Sequence, residues 1–192
     1  MDFDIQIATT AHLKYTSVIC KTIEGSAKVR GTGIAKRTPK YIIEKITKGN
    51  AVIALLENKF AGFCYIECWS HGEYVANSGL IVAPQFRGHG LAKKIKSKVF
   101  NHARNKYPKA KIFGITTSLP VMKINTSLGY SPVTFSELPQ DDAFWKSCAS
   151  CPNFDILTRN ERKICLCTGM LAPSKNEMKH DLTSLISNNK HL

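Results

Sequence analysis

Leu80-Ile81-Val82-Ala83-Pro84-Gln85-Phe86-Arg87-Gly88-His89-Gly90-Leu91-Ala92-Lys93-Lys94 reads as an apolar strand that feeds a glycine loop and then a basic helix. Such a loop presents successive backbone N–H groups at the positive end of a helix, and its glycines let a phosphate approach the main chain. That is the chemistry of a pyrophosphate site. It is not a P-loop, because no Gly-Lys-Ser/Thr follows four residues after a first glycine, and Lys93 stands where the dinucleotide pattern needs a third glycine.

Upstream of this stretch, Phe3 to Ile7 alternates apolar and polar residues and predicts a strand, after which Thr9 or Thr10 can cap a helix through Val18 and Ile19. A loop is expected from Gly25 to Gly33. A second helix starts at Thr38, with Pro39 at its first position, and Gly49-Asn50 stops it. Strands follow at Ala51 to Leu56, Phe60 to Trp69 and Tyr74 to Val82. Downstream, the basic helix ends near Tyr107, before Pro108; Lys111 to Thr117 is strand-like, and Pro120 opens a short helix that Gly129 ends. A Pro-punctuated stretch and a strand near Ile164 to Leu171 complete one α/β domain over residues 1–172, and residues 173–192 form a polar, flexible tail.

Composition narrows the classes of function. With 192 residues and 43% hydrophobic content the chain can bury a core unaided. Lys plus Arg number 27 against 14 acids, a formal charge of +13, which favours an anionic partner: nucleic acid, a membrane surface, a phosphate-bearing cofactor or an acidic substrate. No run of about 18 apolar residues and no signal-peptide pattern is seen, so the expectation is a cytoplasmic protein with no membrane partner. Seven cysteines, an odd number, exclude a complete disulfide framework. Cys20, Cys64 and Cys68 read as small core residues.

Gln85-x-x-Gly88-x-Gly90 behind an apolar strand, in this order of elements, resembles the GNAT acyl-CoA N-acyltransferases, whose signature is Gln/Arg-x-x-Gly-x-Gly/Ala. The resemblance implies a GNAT fold, a single twisted mixed β-sheet with helices on both faces. It also implies an acyl-CoA, acetyl-CoA or another, as co-substrate. Cofactor contacts then fall to Leu80, Ile81, Val82, Gln85, Phe86, Arg87, Gly88, His89, Gly90, Leu91 and Ala92. In the family the strand before the loop splays from the next one and pairs with the pantetheine arm. Two family landmarks are missing here. The glutamate base near the start of that strand is replaced by Ala76-Asn77, and the tyrosine acid four residues before Gly129 is Asn125. Glu67, Glu73 and His71 are the substitutes in reach of sequence reasoning; each also reads as a solvated strand-end residue, so catalysis can rest on positioning and backbone donors.

The flanks resemble the acyltransferase domain of N-acetylglutamate synthases: Gly33-Ile34-Ala35-Lys36-Arg37-Thr38, then Thr116-Thr117-Ser118, Leu128-Gly129-Tyr130-Ser131-Pro132-Val133 and Leu138-Pro139. The implied acceptor is the α-amine of glutamate in arginine biosynthesis, with Lys36 and Arg37 clamping its carboxylates and acetyl-CoA or succinyl-CoA as donor. The kinase domain many of those synthases carry in front is absent, and Phe144-Trp145-Lys146-Ser147 replaces their Tyr-Asn-x-x-Arg stretch. The alternatives are a GNAT acetyltransferase acting on a protein, a polyamine or another small amine. A homodimer is compatible with the sequence.

Cys148-x-x-Cys151 and Cys165-x-Cys167 have spacings that could hold a tetrahedral zinc, with buried free thiols as the favoured reading. Lys93, Lys94, Lys96, Lys98, Arg104, Lys106, Lys109 and Lys111 form a basic helix and its exit, with Ile95, Val99 and Phe100 as the buried stripe. An RNA-binding module made of this helix and a zinc knuckle is the rival from another class. It lacks interleaved exposed aromatics and any RNA-binding fingerprint, so a nucleic-acid partner is disfavoured.

Overall fold

The computed structural model describes residues 1–30 and 37–178. Seven strands, β1 (Asp4–Ile7), β2 (Ala51–Leu56), β3 (Lys59–Trp69), β4 (Tyr74–Val82), β5 (Lys111–Thr116), β6 (Ser131–Val133) and β7 (Thr168–Ala172), form one sheet in the order β1-β2-β3-β4-β5-β7-β6. Neighbours are antiparallel except β4 and β5, which run parallel. The helices are α1 (Thr16–Arg30), α2 (Pro39–Thr47), α3 (Leu91–Lys106), α4 (Leu119–Ser127), α5 (Asp142–Lys146) and α6 (Phe154–Arg159).

Local chemistry explains these elements. Glu57 and Asn58, both at positive φ, make the tight turn that joins β2 to β3 with the twist a hairpin requires. Phe60 to Ile66 are buried without a break, because both faces of β3 are covered. Leu91, Ile95, Val99 and Ala103 give α3 its buried stripe, and Ile19, Ile23, Ile42 and Ile46 do the same for α1 and α2. Thr38 caps α2 by accepting from the Tyr41 N–H at 3.3 Å, with Pro39 following it.

The feature that creates a site is the parting of β4 from β5. They pair only at Tyr74–Lys111, Val75–Ile112 and Ala76–Phe113, although β4 continues to Val82 and β5 to Thr116. A bulge supplies the bend. Phe63 faces Ile81 whereas Tyr65 faces Ser78, so β4 carries one residue more than β3. Gly79 sits there at φ +65°, and a Cβ would lie 2.2 Å from the Tyr65 ring, so no other residue fits.

Several expectations change. Helix α1 continues through Gly25 to Arg30, where a loop was expected: the buried Ile19, Ile23 and Ser26 outweigh the roughly 1 kcal/mol cost of a helical glycine. Lys36 and residues 31–35 lie outside the described residues. The Pro-punctuated stretch holds β6, α5 and α6, and β7 begins at Thr168 rather than Ile164. Packed structure also runs past residue 172. Arg104 Nη1 donates to the Pro173 carbonyl, Ser174 is buried, and the Lys175 N–H donates to Pro108 O at 3.1 Å. Residues 179–192 lie outside the described residues.

Candidate active site

Beyond Ala76 and Phe113 the gap between β4 and β5 opens into a cleft lined by Asn77 to Leu80 on one strand and Gly114 to Thr116 on the other. At its outer end stand Pro84 to Ala92. Gly88 and Gly90 have φ of +84° and +70°, and a Cβ at either would meet nothing within 4 Å. The loop thus leaves open space over the start of α3, where unpaired N–H groups and the helix dipole favour an anion. Gln85, Arg87 and His89 are exposed along this rim, while Ile81, Phe86 and Leu91 are buried and Phe86 packs edge-on against Phe3 at 5.7 Å. Those three can serve a ligand only through their backbone. Arg87 is braced by hydrogen bonds to Val82 O and Ser26 Oγ, both 3.2 Å.

On the α2 side of the sheet the cleft is bounded by Arg37 and Glu67. Arg37 Nε donates to the Tyr65 hydroxyl at 2.6 Å, and its guanidinium lies 4.9 Å from the centre of the Tyr41 ring. Burial works against its charge, but Tyr65, Tyr41 and Glu67 outweigh this and raise its pKa. The Tyr65 phenol is pushed up to about 12, chiefly by burial. Glu67 is already occupied: its carboxylate accepts from the Tyr41 hydroxyl and pairs with Lys45 Nζ at 3.2 Å.

On the α3 side the floor is polar. Lys96 is 2% exposed and donates to the backbone carbonyl of Asn77 at 3.2 Å. Asn77 Oδ1 accepts from the Tyr130 hydroxyl at 3.2 Å, but its Nδ2 has no partner among the described residues, nor has Asn125 Oδ1. Burial lowers the Lys96 pKa. Sequence reasoning placed Lys96 and Arg104 on the solvated basic face, and the structure corrects both, since Arg104 is 7% exposed. Their helical phase, four residues before and four residues after the buried Phe100, was the available signal.

Residues 26–120, about half of the chain, match the Acetyltransferase (GNAT) family. The chain belongs to the GNAT family. That family is one of acetyltransferases. Among solved structures it is similar to N-acetylglutamate synthase from Neisseria gonorrhoeae complexed with coenzyme A and N-acetylglutamate. That likeness has a TM-score of 0.62 at 13% identity over 90% of this chain and 35% of the synthase. A Mycobacterium tuberculosis protein in complex with CoA gives 0.63 at 14% identity, covering 88% of this chain and 98% of that one. The ribosomal-protein-S18-alanine N-acetyltransferase of Escherichia coli gives 0.57 at 12% over 90% and 94%. At such identities the likeness establishes the fold, and the chain spans about a third of the Neisseria synthase. No curated protein sequence matches it.

Within this GNAT cleft the catalytic candidates separate. Glu67 and Asn125 reach it. His71 and Glu73 do not: they are exposed in the β3–β4 connection, before the paired end of β4 and away from the splay. Asn125 lies buried on α4, its Nδ2 donating to Met170 Sδ at 3.4 Å. Sequence reasoning missed the aromatic wall of Trp69, Phe144 and Trp145, because α5 was not recognised.

The four C-terminal cysteines all line this same wall. Cys165 and Cys167 precede β7 in irregular chain, half-buried while Ile164 and Leu166 are exposed. Among the described residues no group of three or more His, Cys, Asp or Glu has a metal-holding arrangement. Burial pushes the Cys148 thiol up to about 11 and the Cys167 thiol to about 12, with the neighbouring cysteines adding to both. Cys148 and Cys167 are therefore poor nucleophiles at neutral pH. No helix of the described residues is long and apolar enough to cross a membrane.

Proposed function

We propose that the acceptor is the α-amine of L-glutamate or a close acidic amino acid, which would place the enzyme at the N-acylation of glutamate in arginine biosynthesis. The observation that supports this reading is Arg37. Its guanidinium borders the cleft beside the Tyr65 hydroxyl and the Tyr41 ring, and a guanidinium is a planar group suited to a carboxylate. Lys36, next to it in sequence and outside the described residues, is the second cation this reading invokes. The neutral amine attacks the thioester carbon while the backbone of Leu80 to Val82 orients the acyl carbonyl; the donor is acetyl-CoA or succinyl-CoA.

A second reading is favoured by Glu67. Its carboxylate borders the same cleft, and exchange of its Lys45 partner for a substrate cation would suit a polyamine or a peptide N-terminus. Competition decides between them. With either donor, glutamate, glutamine, a polyamine and a peptide are offered at equal concentration. The glutamate reading expects glutamate to be acylated well ahead of glutamine, and Arg37→Lys to weaken glutamate use about tenfold while leaving CoA binding intact. Preference for the polyamine or the peptide would end it.

A further inference from the structure

The point where β4 and β5 part has an unusual composition. Lys96 reaches it from α3, and its ammonium donates to the carbonyl of Asn77, the first residue beyond the last β4–β5 pair. No carboxylate of the described residues pairs with Lys96. A buried cation without an anion is costly. Asn125 faces the same cleft from α4 and cannot give up a proton.

Acyl transfer to an amine needs a proton for the departing thiolate. Among the titratable groups that line the cleft, Arg37 does not release one. Glu67 is held by Tyr41 and Lys45 on the opposite face of the sheet. The cysteines lie along the aromatic wall. Lys96 remains. From the rim at Val82 back to Asn77 is five strand steps, about 17 Å at 3.3 Å per residue, which is about the reach of an extended pantetheine arm. A thioester whose phosphates sit on the glycine loop therefore arrives at Lys96.

We propose that Lys96 is the general acid of the acyl transfer. The neutral acceptor amine forms the new N–C bond, and the carbon–sulfur bond then breaks as the Lys96 ammonium passes a proton to sulfur. Neutral Lys96 recovers a proton from the nitrogen that attacked, directly or through water, so the cycle releases CoA thiol and the one proton the acceptor ammonium lost before attack. The titratable groups facing Lys96 are Cys64 from β3 and Tyr130 after α4. Burial raises the first to about 11 and the second well above its usual value, so neither supplies an anion near neutral pH. Burial also favours release of the Lys96 proton.

The role rests on the acyl-CoA chemistry of the family, and it is tested with a readout that needs no acceptor. CoA bound to the wild type and to Lys96→Met is titrated by the ultraviolet absorbance of its thiolate. The bound thiol should titrate about one unit lower in the wild type, a tenfold larger thiolate population. Turnover gives the second arm. Lys96→Met should lower kcat about 100-fold and leave acetyl-CoA affinity within about threefold. It should also lose the alkaline fall in kcat that the wild type shows as Lys96 deprotonates. Lys96→Arg keeps the charge without a transferable proton, so it should retain the thiol shift but not the rate. Equal thiol titration in wild type and Lys96→Met, or full activity of Lys96→Arg, overturns the proposal alone. A wild type that does not take up CoA overturns it together with the acyl-CoA reading.

Discussion

The two ends of the cleft use lysine in opposite ways. At the outer end Lys93 and Lys94 follow the glycine loop and are exposed, as is Lys98 a turn later, whereas Lys96 at the inner end is 2% exposed. All four belong to one helix and one run of sequence. An exposed lysine adds to a diffuse field that attracts phosphate, with little geometry and strong screening by salt. A buried lysine lowers stability and is retained where position matters. Count and charge are therefore silent about which lysine does chemistry; burial and helical phase decide.

The largest expected effect tests how the inner end is built. Gly79→Ala puts a methyl group 2.2 Å from the ring of Tyr65, which is fully buried and tied to Arg37, at a backbone angle that alanine resists. It should cost about 3–4 kcal/mol, read as a fall in the denaturant midpoint. A loss under about 1 kcal/mol would mean that the bulge is not held as described.

Lys96→Met comes next and has the opposite sign. Removing a buried cation that has no carboxylate partner should raise stability by about 1–3 kcal/mol near neutral pH, even as activity falls. The sign follows from linkage. Burial depresses the folded pKa below the ordinary lysine value of 10.5, so the unfolded chain binds more protons between the two values. Wild-type stability should then rise with pH across that window as the penalty is relieved, and Lys96→Met should lack the rise in thermal melts. A destabilised Lys96→Met would assign the lysine to structure.

The smallest effect belongs to the outer end. Lys93→Ala with Lys94→Ala should weaken acyl-CoA binding about two- to fivefold at low salt and hardly at all at high salt, by calorimetry at two ionic strengths. A loss that salt does not change would point to a specific contact rather than to field.

The glycine loop and the order of elements were legible because both are local. Gly88-x-Gly90 needs positive φ, and alternation marks the strands around it. Thr38-Pro39 announces α2 in the same way. The inner site was not legible, because it is assembled from residues far apart: Asn77 on β4, Lys96 on α3, Asn125 on α4 and Tyr130 beyond it. Lysine composition argued for solvent, and only the phase it shares with Phe100 argued for the core. The cysteines gave a spacing but no geometry; the structure gathers them on one wall without a metal-holding set among the described residues. His71 and Glu73 show the converse error, since nearness in sequence to the missing glutamate put them at the wrong end of β4.

Acyl-CoA should lie with its pyrophosphate on the loop of Gly88 and Gly90 and its thioester between β4 and β5. Calorimetric titration of acetyl-CoA and succinyl-CoA into the wild type and Gly88→Asp tests it most directly. The substitution adds a carboxylate in the open space over the loop, where a phosphate must approach the backbone. The account predicts saturable heat for at least one donor with the wild type and affinity at least about 100-fold weaker with Gly88→Asp, a loss of about 3 kcal/mol. Equal affinity of the two proteins, or no heat with either donor, would contradict it.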